Sequence, residues 1–110
     1  ILPDDGHIPE EFQKRKRPAI ILGLFKLLYH TSKRKGISHW YLVTERRLFY
    51  LLRRYGFLFQ QIGDPVNYHG VRIPYLGNVE EIEQTLAAKK PEVLQLMLMG
   101  LEEEYHPRLP

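Results

Sequence analysis

LRRYGFLFQQIGDPVNYHGVRIPY, running from Leu52 to Tyr75, carries the densest local signals in the chain. Gly56 closes an apolar-periodic run and so marks a helix end. Phe57 to Ile62 then alternates with a period of two, which is the pattern of a strand. Gly63-Asp64-Pro65 breaks that strand. Val66 to Ile73 reads as a further strand with Gly70 inside it, where a bulge or a close backbone approach is the usual meaning, and Pro74 ends it. So few breaker residues separate the two strands that they are most simply an antiparallel pair.

Upstream, Thr44 suits a helix N-cap, with Glu45 in the first turn on the favoured side of the dipole. Leu48, Phe49, Leu51, Leu52 and Tyr55 then form one apolar face, and Arg46, Arg47, Arg53 and Arg54 lie largely elsewhere. Ile37 to Val43 is rich in β-branched and aromatic residues and too short for a helix, so it reads as a strand. The unbroken apolar run Trp40-Tyr41-Leu42-Val43 suggests burial on both faces, as in a parallel sheet. Further back, Pro18 suits the first turn of a helix whose apolar residues Ile20, Ile21, Leu24, Leu27 and Leu28 have helical spacing. Gly23 inside that helix marks either a close approach or a tolerated glycine. Lys33, Arg34 and Lys35 complement the helix end, and Gly36 stops it. Residues 1–17 lack a sustained period and read as an irregular lead-in. Downstream, Asn78 and Glu81 fit a capping box for a helix over Val79 to Lys89, and Pro91 starts another through Leu101. The expected order is helix, strand, helix, strand, strand, helix, helix.

A chain of 110 residues has the length of one domain. Hydrophobic residues at 44% and charged ones at 26% are ordinary globular proportions and favour neither a disordered nor a fibrous class. The absence of cysteine excludes disulfides, thiolate metal sites and a cysteine nucleophile together. The longest strongly apolar run, Ala19 to Tyr29, contains Lys26 and falls short of the ~20 residues that span a bilayer. Nothing points to secretion, and the expected compartment is the cytoplasm. Ile1, followed by Pro3, Asp4, Asp5, Gly6 and Pro9, reads as a loop entered from something upstream, so the chain is expected to be part of a longer protein. The net charge of +3 and pI near 9.2 come mainly from Lys14-Arg15-Lys16-Arg17 and Lys33-Arg34-Lys35. Such a field suits an acidic carrier, a phosphate-bearing cofactor or a nucleic acid, or simply solvates two helix ends.

The run Gly56-Phe57, Ile62-Gly63-Asp64-Pro65-Val66 and Tyr68-His69-Gly70-Val71-Arg72-Ile73-Pro74-Tyr75 resembles the C-terminal half of the exosortase-associated acyltransferase family. That family is similar to N-acyl amino acid synthases and autoinducer synthases, within the GNAT superfamily. The resemblance covers about Ala19 to Glu81 and is most specific in the YHGxRxP element. It implies an α/β fold with a mixed sheet, namely the second half of a GNAT fold, running helix, strand, helix, strand, strand, with the final strand inserted beside the first. The activity it implies is transfer of an acyl group to an amine such as an amino acid. The donor would be the phosphopantetheine thioester of an acyl carrier protein or acyl-coenzyme A, with no metal. Two departures stand out. Lys14-Arg15-Lys16-Arg17-Pro18 has no glycine where coenzyme A-using members carry a glycine-containing phosphate loop. Leu52 occupies the position, four before Gly-Phe, where many members carry a tyrosine that protonates the thiolate. The N-terminal half of the fold, with its backbone donor for the thioester oxygen, is absent, so a missing half or an oligomer partner is expected.

Acyl transfer to an amine needs a base, an oxyanion donor and a proton for the departing thiolate. His69, the only histidine between Leu52 and Tyr75, is the candidate base, directly or through water. Tyr68 and Arg72 are candidate substrate-binding residues, with Arg72 offering a fork to a carboxylate. Lys14, Arg15, Lys16 and Arg17 would hold the phosphate of the phosphopantetheine and the acidic surface of an acyl carrier protein. The plainer alternatives are a structural strand histidine, an exposed strand arginine and a solvated basic run. By strand alternation Tyr68 and Arg72 share one face and His69 the other, unless a bulge at Gly70 resets the count. Trp40, Tyr41, Phe49, Phe57 and Phe59 line an acyl tunnel or, more simply, form the core. Two readings from other classes compete: a basic nucleic-acid-binding module, and a non-catalytic module pairing its open sheet edge with another chain.

Overall fold

The computed structural model describes residues 10–109, with side chains for residues 19–109. Helix α1 spans Glu10–Lys35 and is followed by strand β1, His39–Thr44, and helix α2, Arg46–Arg54. Two short strands, β2 (Gln60–Gln61) and β3 (Val66–Asn67), precede the long strand β4, Val71–Asn78. Helices α3 (Val79–Lys89) and α4 (Pro91–Leu98) and a 3-10 turn at Glu103–Tyr105 complete the described fold. Among the described residues, no helix is long and apolar enough to cross a membrane.

Several boundaries differ from expectation. Residues 10–17, read as irregular, belong to α1. Glu, Gln, Lys and Arg are strong helix formers, and here they outweigh the loss of one backbone hydrogen bond at an interior Pro18. The strand expected over Val66 to Ile73 is interrupted at Tyr68-His69-Gly70, which turn the chain between β3 and β4. Pro74 does not end β4. It has no N–H to lose from the ladder, and its carbonyl accepts Ile62 N–H at 3.0 Å. Helix α4 stops at Leu98, short of Leu101, because Gly100 turns the chain with φ +84°.

Strand β4 lies between β1 and β2 and is antiparallel to both, and β3 pairs with the start of β4, again antiparallel. The expected insertion of the final strand beside the first is found. The expected mixed sheet is not, since every pairing among the described strands is antiparallel. Trp40, Leu42 and Thr44 face Gly77, Tyr75 and Ile73 across the β1–β4 ladder, and this face carries the core. Phe25 of α1 meets Trp40 with ring centroids 5.7 Å apart, and Phe49 of α2 stacks on Tyr75 at 4.6 Å. Gly77 is required in this layer, because a Cβ there would stand 2.7 Å from the Phe59 ring. Trp40, Phe57 and Phe59 are therefore plain core, and Tyr41 is exposed on the other side. In β1 only Trp40 is fully buried and every second residue is exposed. The two-sided burial inferred from its apolar run does not occur because the α1, α2 and α3 contacts all fall on one face of the sheet.

The helix ends are fixed locally. Asn78 Oδ1 accepts the Glu81 N–H at 2.9 Å, which satisfies one free donor of the first turn of α3. After α2, Phe57 N–H reaches back to the Leu52 carbonyl at 2.9 Å, and Gly56 takes φ +94° to allow it. This tight exit places Phe57 in the core directly after the helix.

Candidate functional site

The residues singled out by the YHGxRxP element meet at one end of the sheet. The turn closes through a bond from Tyr68 N–H to the Gly70 carbonyl at 2.8 Å, with His69 in the left-handed region at φ +53°. Strand alternation therefore does not govern residues 68–70, and His69 and Arg72 are neighbours without any bulge. Arg72 Nη2 donates to the His69 carbonyl at 2.9 Å, and Nη1 lies 3.3 Å from the Val71 carbonyl and 3.4 Å from Glu45 Oε1. The guanidinium thus ties the turn to itself and to the start of α2. The free fork expected for a substrate carboxylate is already engaged by the chain's own oxygens. Tyr68 is exposed and sets its ring edge-on to the His69 imidazole at 4.6 Å. His69 is exposed as well. Lys14, Arg15, Lys16 and Arg17 fall on α1, but their side chains lie outside the described residues.

Three further polar groupings were not anticipated. Tyr29 hydroxyl donates to Glu83 Oε2 at 2.5 Å, and Lys33 Nζ approaches the same oxygen at 2.9 Å. Burial first, and then the Glu83 hydrogen bond and charge, push the Tyr29 phenol well above its ordinary range. A signal for this pair was available: Glu83 is the one charge on the face that Val79, Ile82 and Leu86 bury, and Tyr29 and Lys33 stand one turn apart on α1. A cavity of about 420 Å³ opens beside them, lined among others by Ser32, Lys33, Glu83, Gln84, His106 and Arg108. Most of its polar groups are engaged with their neighbours. Ser32 Oγ accepts Trp40 Nε1–H at 2.8 Å, and His106 Nε2 pairs with the Leu101 carbonyl at 2.8 Å.

At the other end of β1, Ser38 Oγ lies 2.7 Å from His39 Nδ1, and Asn78 Nδ2 lies 3.3 Å from His39 Nε2. Asn78 Oδ1 is committed to the α3 cap, so its amide nitrogen is the group turned to the imidazole and Nε2 accepts. Nδ1 then carries the proton and donates to Ser38, which leaves the serine hydroxyl without a base. The trio anchors a corner and does not activate a nucleophile. Tyr75 hydroxyl is buried with no hydrogen-bond partner among the described residues. Burial raises its pKa, opposed by Arg46 and reinforced by Tyr50. Among the described residues, no group of three His, Asp or Glu side chains is placed to hold a metal ion. In comparisons with known proteins, no family model, curated protein or solved structure matches the chain.

Proposed function

We propose that this chain forms part of an N-acyltransferase of the GNAT kind. It would act in the cytoplasm, moving an acyl group from an acyl carrier protein or acyl-coenzyme A thioester to an amine such as an amino acid. The observation that supports this reading is the sheet order. β1 leads through α2 to β2, and β4 returns beside β1, which is the place the sequence resemblance implies for the final strand of that half-fold.

In this mechanism the amine nitrogen attacks the thioester carbonyl carbon, the C–S bond breaks, and the departing thiolate takes up, directly or through water, the one proton that the amine gives up. His69, exposed on its turn, accepts the proton that the amine loses as the new C–N bond forms. Arg72 is a positioning residue, because its guanidinium holds the turn by the His69 carbonyl. Tyr68 borders the approach to the imidazole. Lys14 to Arg17 supply positive charge for the phosphate of the donor and for the acidic face of a carrier protein.

The test is titration with acyl carrier protein and with acyl-coenzyme A, each with an amino acid acceptor, following binding and release of free thiol. Binding that weakens with salt and thiol release that His69→Ala lowers by roughly 10²-fold or more is expected. Neither binding nor thioester consumption with either donor sinks the reading.

A further inference from the structure

Among the described strands β1 is one edge of the sheet, and it lacks the features that usually keep edges apart. It is six residues long, His39–Thr44, with no proline, glycine or lysine and no acidic residue. Natural edges are blunted by short length, charge, proline or bulges. The opposite edge is blunted in this way, since β2 is only Gln60–Gln61 and runs into Gly63 and Pro65. The uncovered side of β1 carries Tyr41, 66% exposed, and Val43, 47% exposed. A solvated face of an antiparallel sheet ordinarily reads polar.

A second uncovered strip runs beside this edge. Ser32 of α1 bonds to Trp40 of β1, whereas Tyr29 and Lys33 turn to Glu83 of α3. Leu28, Leu24 and Ile20 continue back from Ser32 at intervals of four, so their ridge drifts from above β1 outward. Leu24 and Ile20 are 60% and 59% exposed, Leu28 is 41% exposed, and Leu27 beside them is 67% exposed.

From the open β1 edge and the α1 ridge we propose that the chain forms a two-fold dimer, with β1 pairing antiparallel to its copy and the two α1 ridges packing above the joined sheets. The surface is self-complementary. Residues opposite one another must be both odd or both even if Trp40 and Leu42 are to stay on the core side. The register with Tyr41 opposite its own copy meets this condition. It sets Trp40 against Leu42 of the second copy and His39 against Val43, with no like charges opposed. The ridges at intervals of four suit the commonest helix-packing class, crossing at about −50°. Exposed apolar side chains flank the edge on both faces, Leu24 and Leu28 with Ile20 and Leu27 on the α1 side and Tyr41 and Val43 on the other, and with the strand backbone they contribute toward the ~800 Å² per partner of a standard stable interface.

Sedimentation and light scattering across the micromolar range are expected to show a dimer. Tyr41→Lys opposes two like charges across the two-fold axis and is expected to weaken dimerisation at least tenfold, with circular dichroism unchanged because the position is exposed. Leu24→Lys acts in the same direction, and Ile62→Lys on the far side leaves the dimer intact. Because the chain has no cysteine, oxidised Tyr41→Cys is expected to give a single disulfide-linked dimer, the separation of opposed strand residues being within disulfide reach. A monomer at hundreds of micromolar overturns the proposal. So does a dimer that resists both lysine substitutions, or one in which the Tyr41→Cys pair fails to cross-link.

Discussion

Tyr75 shows how one atom can be carried at a cost inside an otherwise satisfied core. Its ring stacks on Phe49 at 4.6 Å and is buried, yet its hydroxyl has no partner among the described residues. A buried hydroxyl without a partner costs about 1–3 kcal/mol of desolvation. Tyr75→Phe keeps the stack and removes the orphan, so chemical denaturation is expected to show stability unchanged or raised by about 1 kcal/mol. A loss of more than that would mean the hydroxyl has a partner in solution. His69 is the opposite case, a side chain whose geometry the sequence concealed. Period-two reasoning placed it on the face away from Arg72, but its φ of +53° takes it out of the strand altogether. Alternation holds only where a ladder partner holds the backbone, and residues 68–70 have none.

At the scale of elements, the most legible one was α3, and the reason lies in its cap. Asn78 with Glu81 three residues on marks a helix start in sequence, and the Asn78 Oδ1 to Glu81 N–H bond of 2.9 Å is what that pattern means physically. Asn78→Ala is expected to lower stability by about 1 kcal/mol in a denaturant titration. It also frees the His39 imidazole, so the His39 ring signals should shift in an NMR spectrum, while Glu80→Ala next door should leave them in place. The strands were harder to read. Phe57 and Phe59 alternate as a strand does, but they serve the core from an extended segment ahead of β2, which covers only Gln60–Gln61. Likewise Pro18 looked like a helix start because proline tolerates that position best, and a local rule carries no information about strong helix formers upstream.

For the whole molecule, the first described helix is tied to the last described segment. Arg34 Nε and Nη2 donate to the Glu102 carboxylate at 2.9 to 3.0 Å, and His30 Nε2 pairs with the Met97 carbonyl at 2.7 Å. The Arg34 hydrogen bonds hold the Glu102 carboxyl below its ordinary pKa of 4.5. A depressed carboxylate stabilises the fold fully above its unfolded pKa and loses that contribution as pH falls through the lower folded value. Glu102→Gln is therefore expected to lower Tm by a small, constant amount near neutral pH, and the difference should close under acid. A gap that widens on acidification contradicts this account. The pair was not legible in sequence, since the partners are 68 residues apart and no local pattern links Arg34 to one glutamate among Glu102, Glu103 and Glu104.

Those same ties set a timetable for synthesis. Helix α1 leaves the ribosome long before Glu83, 54 residues on, or Glu102, 68 residues on, can reach it. At ~5–20 residues per second that wait is several seconds. During it Phe25, Tyr29 and Leu22 of α1 have no folded layer to enter. The nascent chain is thus exposed to chaperones until α4 emerges, and the wait for these distant partners, more than marginal final stability, should limit its yield.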